Sequence, residues 1–234
     1  MIDMHTHILP GADHGSRSVE MSLSLIDAAL SVGIDKIAAT PHFYLSSGDS
    51  VTYFLEKRNR AFTRLLPALG ERADKFELYL GAEVNLRLGL SEIDGLEKLC
   101  IGGSNIMLLE MPLDKVWRDW VFNEVSFIID RHKIRPIIAH IDRYEPSKVA
   151  KLFDYFPLMA QINAESLISF FGRRKILRYF DEGLVYALGS DVHCEEEAYL
   201  YYEKAVNILG DDRMSRINAR SRRLLSEAVS EYLK

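Results

Sequence analysis

Short apolar runs alternate along the chain with longer segments in which apolar residues recur every three or four positions. The short runs predict buried strands, and the longer spacing predicts helices with one apolar face. Alternation of these two elements is typical of a parallel sheet or a βα barrel. The seven predicted strands cover residues 1–5, 35–40, 76–84, 105–111, 135–141, 159–164 and 184–190.

Helices are predicted between these strands. The first one precedes Gly33, which can act as a left-handed cap at its end. Pro67 lies within the second, where it should end or kink the helix because proline lacks a backbone N–H. The later helices are predicted at residues 53–69, 119–132, 147–155, 172–182 and 197–234, the last with a break near Gly210.

Composition is that of an ordinary globular protein. Of the 234 residues, 48% are hydrophobic and 27% are charged, so we expect one domain spanning residues 1–234. The net charge of −5 argues against nucleic-acid binding, which usually needs a clustered basic surface. No apolar stretch reaches the roughly 20 residues that span a bilayer and no signal-like segment is present, so we expect a cytoplasmic protein without membrane insertion. The oligomeric state stays open.

Histidine and acidic side chains lie at the carboxyl ends of six of the seven predicted strands. In a parallel barrel these ends form one rim, so residues far apart in sequence meet there. Imidazoles suit zinc, manganese or iron, and carboxylates can bridge two cations. Nine ligands are too many for one ion, which predicts a polynuclear metal site. The candidate ligands, which include six of the seven histidines, are His5, His7, His14, His42, Glu83, Glu110, His140, Asp191 and His193.

Local spacing supports several of these ligands. The H-x-H at 5–7 and the D-x-H at 191–193 each place two side chains on one face of an extended segment. Glu83 and Glu110 are embedded in apolar residues, where an unpaired carboxylate is costly. Asp3 lies on the same face of the first strand as His5, where it either orients an imidazole ring or forms a salt bridge.

The loop after the first strand carries Asp13 and His14, between Gly11 and Gly15. Glycine allows such a backbone to approach bound ions closely. We favour His14 as a ligand and Asp13 as an adjacent acid or hydrogen-bonding group.

Ordered motifs resemble a known superfamily over nearly the whole chain. They are HTH at 5–7, TPH at 40–42, GAE at 81–83, LLEM at 108–111, AHIDRY at 139–144 and GSDVH at 189–193. The set resembles the PHP (polymerase and histidinol phosphatase) superfamily. Within it, MIDMHTHILPG, the H-x-x-R at 140–143, QIN at 161–163 and FFG at 170–172 look most like the bacterial manganese-dependent protein-tyrosine phosphatases encoded with capsular and exopolysaccharide genes.

The resemblance implies an α/β fold, a distorted TIM-like (β/α)7 barrel with three divalent ions at the rim. Mn²⁺ is the favoured metal, with iron or zinc as alternatives. The implied ligand groups, with Glu83 bridging, are His5, His7, Glu83 and Asp191 for one ion, His14, His42 and His193 for a second, and Glu83, Glu110 and His140 for a third.

The resemblance also implies hydrolysis of phosphomonoesters, chiefly phosphotyrosine in a protein such as a bacterial tyrosine kinase. Neither Cys100 nor Cys194 begins a C-x5-R loop, so a cysteinyl-phosphate route is not expected. In this hypothesis a hydroxide held between two cations attacks phosphorus and Arg143 binds the phosphoryl oxygens. Asp13 or His14 assists protonation of the leaving oxygen.

Three alternatives remain open. His14 replaces an aspartate common in the tyrosine phosphatases, and a histidine there occurs in other PHP phosphoesterases, which favours a small phosphomonoester such as histidinol phosphate. An amidohydrolase-type barrel also begins with H-x-H, but resemblance to it would place a lysine where this chain has Glu83 or Glu110. A catalytically silent metal-binding regulatory module is the third. Residues 45–53 form either a lid over the rim or a connection without a role.

Overall fold

Strands and helices alternate through the residues that the computed structural model describes, which are 1–45, 50–114, 116–194, 197–226 and 228. All strand pairs within its two sheets are parallel. The strands are β1 (Ile2–Thr6), β2 (Lys36–Ala39), β3 (His42–Phe43), β4 (Glu77–Leu80), β5 (Glu83–Asn85), β6 (Ile106–Glu110), β7 (Arg135–Ile138), β8 (Met159–Asn163) and β9 (Val185–Gly189). The helices are α1 (Val19–Ser31), α2 (Val51–Leu65), α3 (Asp119–Asp130), α4 (Pro146–Tyr155), α5 (Phe170–Asp181) and α6 (Glu197–Leu225).

The strands form one sheet in the order β1-β2-β4 and a second in the order β3-β5-β6-β7-β8-β9. The seven predicted strand positions are present, but one of them is divided and one further short strand is added. The single strand predicted over residues 76–84 is wrong, because it splits at Gly81 into β4 and β5, which belong to different sheets. A side chain at Gly81 would press on Ile101, so the chain can bend closely there only without a Cβ. The short β3, after Pro41, was not predicted, since a proline interrupts a hydrogen-bonded ladder.

The two sheets meet where β9 approaches β1. The N–H of Asp191 donates to the carbonyl of His5, and the N–H of His7 donates to the carbonyl of Val192, both at 2.9 Å. Thr6 and Val192 form an isolated parallel bridge. These bonds close the ring of strands and bring the first and last candidate ligands of the chain side by side.

Asp3 strengthens this closure through the backbone. Its Oδ1 accepts from the N–H of His5 at 3.2 Å and from that of Ser190 at 2.9 Å. The carboxylate is fully buried, and burial raises its pKa to about 6 although these hydrogen bonds lower it. Asp3 therefore contacts main-chain groups on both sides of the closure rather than an imidazole ring.

Alternate residues of a strand face opposite sides, and this period decides which side chains reach the barrel axis. In β6, Ile106 and Leu108 pack in the cluster of strand residues inside the ring, whereas Met107 and Leu109 pack against the helices. Glu110 continues the inner face at the carboxyl end of β6. A hydrophobic interior thus fills the lower barrel and leaves polar side chains at the rim.

Helix boundaries follow local sequence signals. Ser18, Ser50 and Ser169 cap α1, α2 and α5 by accepting a backbone N–H with the side-chain oxygen. The predicted break in the last helix is confirmed, because Gly210 has non-helical angles of φ 72° and ψ 169°. Pro67 follows the end of α2, as expected. None of the helices within the described ranges is long and apolar enough to cross a membrane.

The segment predicted as a lid or a plain connection, residues 45–53, is only partly described. Its residues 46–49 lie outside the described ranges. From Val51 onward it belongs to the first turn of α2, because Ser50 accepts from the N–H of Tyr53 at 3.1 Å. The role of the segment stays a prediction.

Candidate metal centre

The predicted ligands gather at the carboxyl ends of the strands. His5 lies near the carboxyl end of β1, and His7 follows this strand. His42 and Glu83 are the first residues of β3 and β5, and Glu110 is the last residue of β6. Of the remaining four, His14 lies in the loop after β1, His140 follows β7, and Asp191 and His193 follow β9. Met4 packs in the barrel interior, and the register of β1 shifts between Asp3 and Thr6, the segment that carries His5.

Four ligand atoms converge closely at one point. They are Nε2 of His5, Nε2 of His7, Oε2 of Glu83 and Oδ1 of Asp191, and the distances between the imidazole nitrogens and the other atoms run from 3.1 to 3.4 Å. Ligand bonds of about 2.0–2.2 Å to a tetrahedral ion separate neighbouring ligand atoms by about 3.3–3.6 Å. The cluster therefore has the dimensions of a cation site.

Glu83 lies at the middle of the wider cluster. Its Oε2 is 2.9 Å from Nδ1 of His42, and its Oε1 is 2.9 Å from Nε2 of His140. Nε2 of His140 is also 3.6 Å from Oε1 of Glu110. One carboxylate thus faces imidazoles on two sides, which is the arrangement that bridges two cations.

Oε2 of Glu83 and Nδ1 of His42 are buried and lie 2.9 Å apart, yet neither has a partner with the geometry of a hydrogen bond. A buried polar atom without a partner is costly, and a cation between these atoms removes that cost. The donor set of neutral imidazoles and carboxylates is the one that first-row divalent metals prefer. The residues present therefore fit metal ions.

A second group contains His7, His42 and His193, whose ligand atoms lie within 4.8 Å of one another. Nε2 of His42 is 3.5 Å from Nε2 of His193. The predicted group contained His14 in the place of His7. The ring of His14 stacks on that of His42 and tilts against that of His193, with centroids 4.7 Å apart in both cases. A third group consists of His42, Glu83 and Glu110.

Asp13 orients His7. Its Oδ2 lies 2.6 Å from Nδ1 of His7, and the carboxylate also accepts the N–H of Gly15 and that of His42, both at 2.9 Å. With the proton on Nδ1, the Nε2 lone pair of His7 points at the other ligands. Burial raises the pKa of Asp13, but the hydrogen bond and charge of His7 more than offset this and lower it, so the carboxylate stays ionised.

The chain matches the capsular polysaccharide synthesis family CpsB/CapC over residues 1–222. It belongs to the CpsB/CapC family. Curated relatives include the tyrosine-protein phosphatase CpsB of Streptococcus pneumoniae, 29% identical over 89% of this chain and 89% of the relative. The tyrosine-protein phosphatase YwqE of Bacillus subtilis is 26% identical over 89% of this chain and 84% of the relative.

Among solved structures, the chain resembles those of YwqE from Bacillus subtilis and CpsB from Streptococcus pneumoniae, described as unique metal-dependent tyrosine phosphatases. The superposition has a TM-score of 0.82 at 22% sequence identity, and it covers 98% of this chain and 96% of the matched chain. This likeness confirms the predicted distorted (β/α)7 barrel, and the family match confirms the resemblance on which that prediction rested.

Gln161 connects ligands of this CpsB/CapC family member that lie on different strands. Its Oε1 accepts the N–H of His140 at 2.6 Å, so the same atom must accept the proton on Nδ1 of His5, 3.2 Å away. Its Nε2 donates to Oδ1 of Asn163 at 2.9 Å, and Nδ2 of Asn163 donates to Oδ2 of Asp191 at 2.8 Å. The QIN motif at 161–163 contributed only to the family resemblance, and these contacts of Gln161 were not predicted. The signal available in the sequence was the pair of amide side chains, Gln161 and Asn163, within a predicted buried strand, since buried amides need hydrogen-bond partners.

Backbone strain coincides with the site. His140 and Asp191 have positive φ angles of 32° and 55°, which cost about 1–3 kcal/mol each outside glycine. Because Ala139 already faces the barrel interior, this conformation turns the next side chain, that of His140, inward as well. A side chain at Gly15 would collide with the carbonyl oxygen of His7, so only glycine fits this approach.

Arg143 and Tyr144 complete the rim after β7. Nη2 of Arg143 donates to Oδ2 of Asp191 at 2.6 Å, and its side chain remains 46% exposed. The Tyr144 hydroxyl accepts the N–H of Met111 at 3.0 Å and lies 3.2 Å from Nδ1 of His140. Burial, together with the charges of Glu110 and Glu83, raises the pKa of Tyr144 well above its usual value. Tyr144 is the last residue of the AHIDRY motif at 139–144, but its contact with His140 was not predicted.

Proposed function

We propose that this chain is a metal-dependent protein-tyrosine phosphatase that acts in capsular or exopolysaccharide synthesis. The observation that carries the proposal is the convergence of imidazoles on Glu83, whose buried Oε2 makes no hydrogen bond of its own. The names of the curated relatives and of the family support the substrate and the pathway. A cytoplasmic location stays the prediction from sequence.

Three divalent ions, preferably Mn²⁺ with iron or zinc as alternatives, fit the proposal. When bound, such cations supply Lewis-acid activation of a water and of the phosphoryl oxygens. The residues proposed to hold them are His5, His7, His14, His42, Glu83, Glu110, His140, Asp191 and His193.

Arg143 is proposed to bind the phosphoryl group. One side of its guanidinium contacts Asp191, and the half-exposed remainder can donate two parallel hydrogen bonds to phosphate oxygens at the rim. This position places a fixed positive charge where negative charge accumulates during hydrolysis.

Of the two residues considered for the leaving oxygen, His14 is better placed than Asp13. Asp13 is ionised and already accepts three hydrogen bonds, which suits the positioning of His7. His14 is exposed beside His42, so the ring nitrogen that does not bind metal can donate a hydrogen bond to the leaving oxygen. A tyrosyl phenolate needs little acid assistance because its oxygen is a weak base.

A cysteine nucleophile is not part of the proposal. Cys100 is buried, and burial raises the pKa of its thiol to about 12, so it stays protonated at neutral pH. Neither Cys100 nor Cys194 begins a C-x5-R loop, so direct hydrolysis by water is the proposed route.

A second candidate function is hydrolysis of a small phosphomonoester such as histidinol phosphate. The specific observation in its favour is His14, whose imidazole lies against His42 and His193 where many tyrosine phosphatases of this type carry an aspartate. The partners of the two candidates differ, a phosphotyrosine protein such as a tyrosine kinase or a free metabolite.

Turnover by metal-stripped protein resupplied with Mn²⁺, Zn²⁺ or Fe²⁺ tests these candidates. A phosphotyrosine peptide, histidinol phosphate and an aryl phosphate should be compared, and metal-dependent preference for the peptide is expected. Preference for histidinol phosphate would support the second candidate instead. Full metal content without any turnover would favour a regulatory module and overturn both.

Matched histidine variants locate the activity. His140→Ala removes a candidate ligand, so turnover and part of the metal content should be lost. His132→Ala is the control, because His132 lies just past α3 and contacts the carbonyl of Ser91 instead of the site. Retained activity in His140→Ala would contradict the proposed site.

A further inference from the structure

A cavity of about 260 Å³ opens beside the candidate metal centre, between the first turns of α2 and the residues around β3. We call it the α2 cavity. His14 and His42 line the side toward the metal centre, and Tyr44, Tyr53, Phe54 and Lys57 line the rest. The cavity is therefore continuous with the rim at which the phosphoryl group is proposed to bind.

The floor of the α2 cavity is rigid and apolar. Phe54 is buried and meets Phe43 edge-on, with ring centroids 5.4 Å apart. The guanidinium carbon of Arg58 lies 5.7 Å from the centroid of the Phe54 ring, and Nη1 of Arg58 donates to the carbonyl of Gly81 at 3.0 Å. Contacts with both Phe43 and Arg58 therefore hold the Phe54 ring in place.

The walls of the α2 cavity leave two large aromatic side chains open to solvent. Tyr44 is 41% exposed and Tyr53 is 49% exposed. Tyr44 stacks on the ring of His42, with centroids 5.1 Å apart and an angle of 22° between planes. Aromatic faces that remain exposed next to a polar site are typical of surfaces that bind another ring.

The volume of the α2 cavity limits its occupant. Pockets for drug-sized ligands usually measure about 300–1,000 Å³, so a cavity of about 260 Å³ suits one aromatic ring better than an extended ligand. Lys57 lies four residues after Tyr53 and shares its helix face, which places a cation at the same edge of the cavity.

We propose that the α2 cavity binds the aromatic ring of the substrate phosphotyrosine, with its phosphoryl group at the metal centre, and that Lys57 pairs with an acidic side chain beside that tyrosine. The assignment rests on the proposed phosphatase function. It makes Tyr53 and Lys57 determinants of specificity. The ring of Tyr53 favours an aromatic phosphate ester over an alkyl phosphate, and the ammonium group of Lys57 favours peptides with an acidic residue beside the phosphotyrosine.

Two non-hydrolysable probes test the ring site in the metal-loaded protein, benzylphosphonate and methylphosphonate. Calorimetry measures their affinities without turnover. Tyr53→Ala should weaken benzylphosphonate about tenfold relative to methylphosphonate, which is the size of one lost aromatic contact. Tyr53→Phe keeps the ring and should keep the preference. Tyr155→Ala is a matched control, because this exposed tyrosine ends α4 at the opposite end of the barrel.

The same variants separate failure of the cavity from failure of the function. If wild-type protein hydrolyses aryl phosphates and Tyr53→Ala binds both phosphonates with unchanged preference, the cavity assignment is overturned and the function stands. If wild-type protein loaded with metal hydrolyses no phosphomonoester, the proposed function fails and the assignment fails with it.

Lys57 is tested with paired phosphotyrosine peptides that differ only in flanking Glu or Gln. Wild-type kcat/KM should be higher for the Glu peptide, and Lys57→Met should bring the two peptides to within about twofold of each other. The difference should also shrink in high salt, since an exposed ion pair is screened. A preference that survives Lys57→Met would overturn the role of Lys57.

Discussion

Nε2 of His5 lies 3.1 Å from Nε2 of His7. Two imidazole nitrogens at this distance need a proton or a cation between them, because their lone pairs otherwise repel. Burial lowers the pKa of both rings, but the carboxylates of Glu83 and Asp191, with Asp13 on His7, more than offset this and raise it. Protons therefore compete with metal ions for these two nitrogens.

Metal binding should stabilise the protein, and more so at higher pH. Since the raised pKa values keep His5 and His7 protonated to higher pH, binding releases protons and affinity increases as pH rises. A metal at about 100 times its Kd adds about 2.7 kcal/mol to the free energy of unfolding. Thermal unfolding with chelator or with Mn²⁺, at pH 6 and pH 8, measures this. Equal unfolding temperatures with and without metal would contradict it.

Glu83→Gln should lose more metal than Glu110→Gln. Glu83 lies within 3.2 Å of four candidate imidazole ligands through its two oxygens, whereas Glu110 approaches His140 at 3.6 Å and shares one group with His42 and Glu83. We expect the first variant to lose two ions or more and the second to lose one at most. Elemental analysis after dialysis gives the metal content, with His132→Ala as the control. Equal losses would argue against a central position of Glu83.

Gln161→Met should weaken metal binding without removing a ligand. The variant keeps the shape of the side chain but leaves Nδ1 of His5 and the N–H of His140 without their acceptor. Loss of such supporting hydrogen bonds costs about 10–100-fold in metal affinity. Competitive chelator titration measures affinity, and urea unfolding in chelator checks that the variant folds. Asn163→Ala removes the donor to Asp191 and an acceptor of Gln161 Nε2 but leaves Oε1 of Gln161 in contact with His5 and His140, so its effect should be smaller.

Arg143→Ala should leave the metal content intact and cripple hydrolysis. Asp191 keeps the hydrogen bond from Asn163, so its carboxylate stays in place without the arginine. Removing one donor to developing negative charge costs about 10²–10³ in rate. Arg143→Lys retains the positive charge but cannot donate two parallel hydrogen bonds, so its kcat/KM should lie between those of wild type and Arg143→Ala. A loss of metal equal to the loss of activity would instead assign Arg143 a purely structural role.

Asp3→Asn should stabilise the chelated protein at neutral pH. Burial raises the pKa of Asp3 from 3.8 to about 6, so the folded state holds this proton more tightly and its stability decreases as pH rises between these values. The shift corresponds to about 3 kcal/mol at most. Asparagine cannot ionise and keeps the Oδ1 acceptor. The difference in unfolding free energy between variant and wild type should vanish below pH 4 and be constant above about pH 6; a difference independent of pH would contradict this.

The sequence was sufficient to predict which residues converge, because strand ends of a parallel barrel share one rim; that they bind metal stays a proposal. Eight of the nine predicted ligands lie in groups of converging ligand atoms or contact them directly, and His14 stacks beside them. How they divide among ions could not be derived from spacing. His7 lies in two of the groups because barrel closure, a long-range event, sets its position.

Local irregularities were beyond sequence patterns. The division at Gly81 and the inward turn of His140 depend on tertiary contacts that override the alternation of strand residues. The supporting hydrogen bonds of Gln161 and Tyr144 were missed for the same reason, since a buried polar side chain reveals its partner only in three dimensions. A single domain over residues 1–234 stays a prediction.

Closure of the barrel also sets an order for biosynthesis. Asp3 and Ser190 meet across 187 positions of sequence, so the first histidines leave the ribosome long before the segment that joins them. A nascent chain that has reached only β8 carries His5 and His7 but lacks Asp191 and His193. The proposed metal site can therefore be complete only after β9 and the residues that follow it have been made. An ion held by the whole set of candidate ligands would then mark a chain in which β1 and β9 have already met.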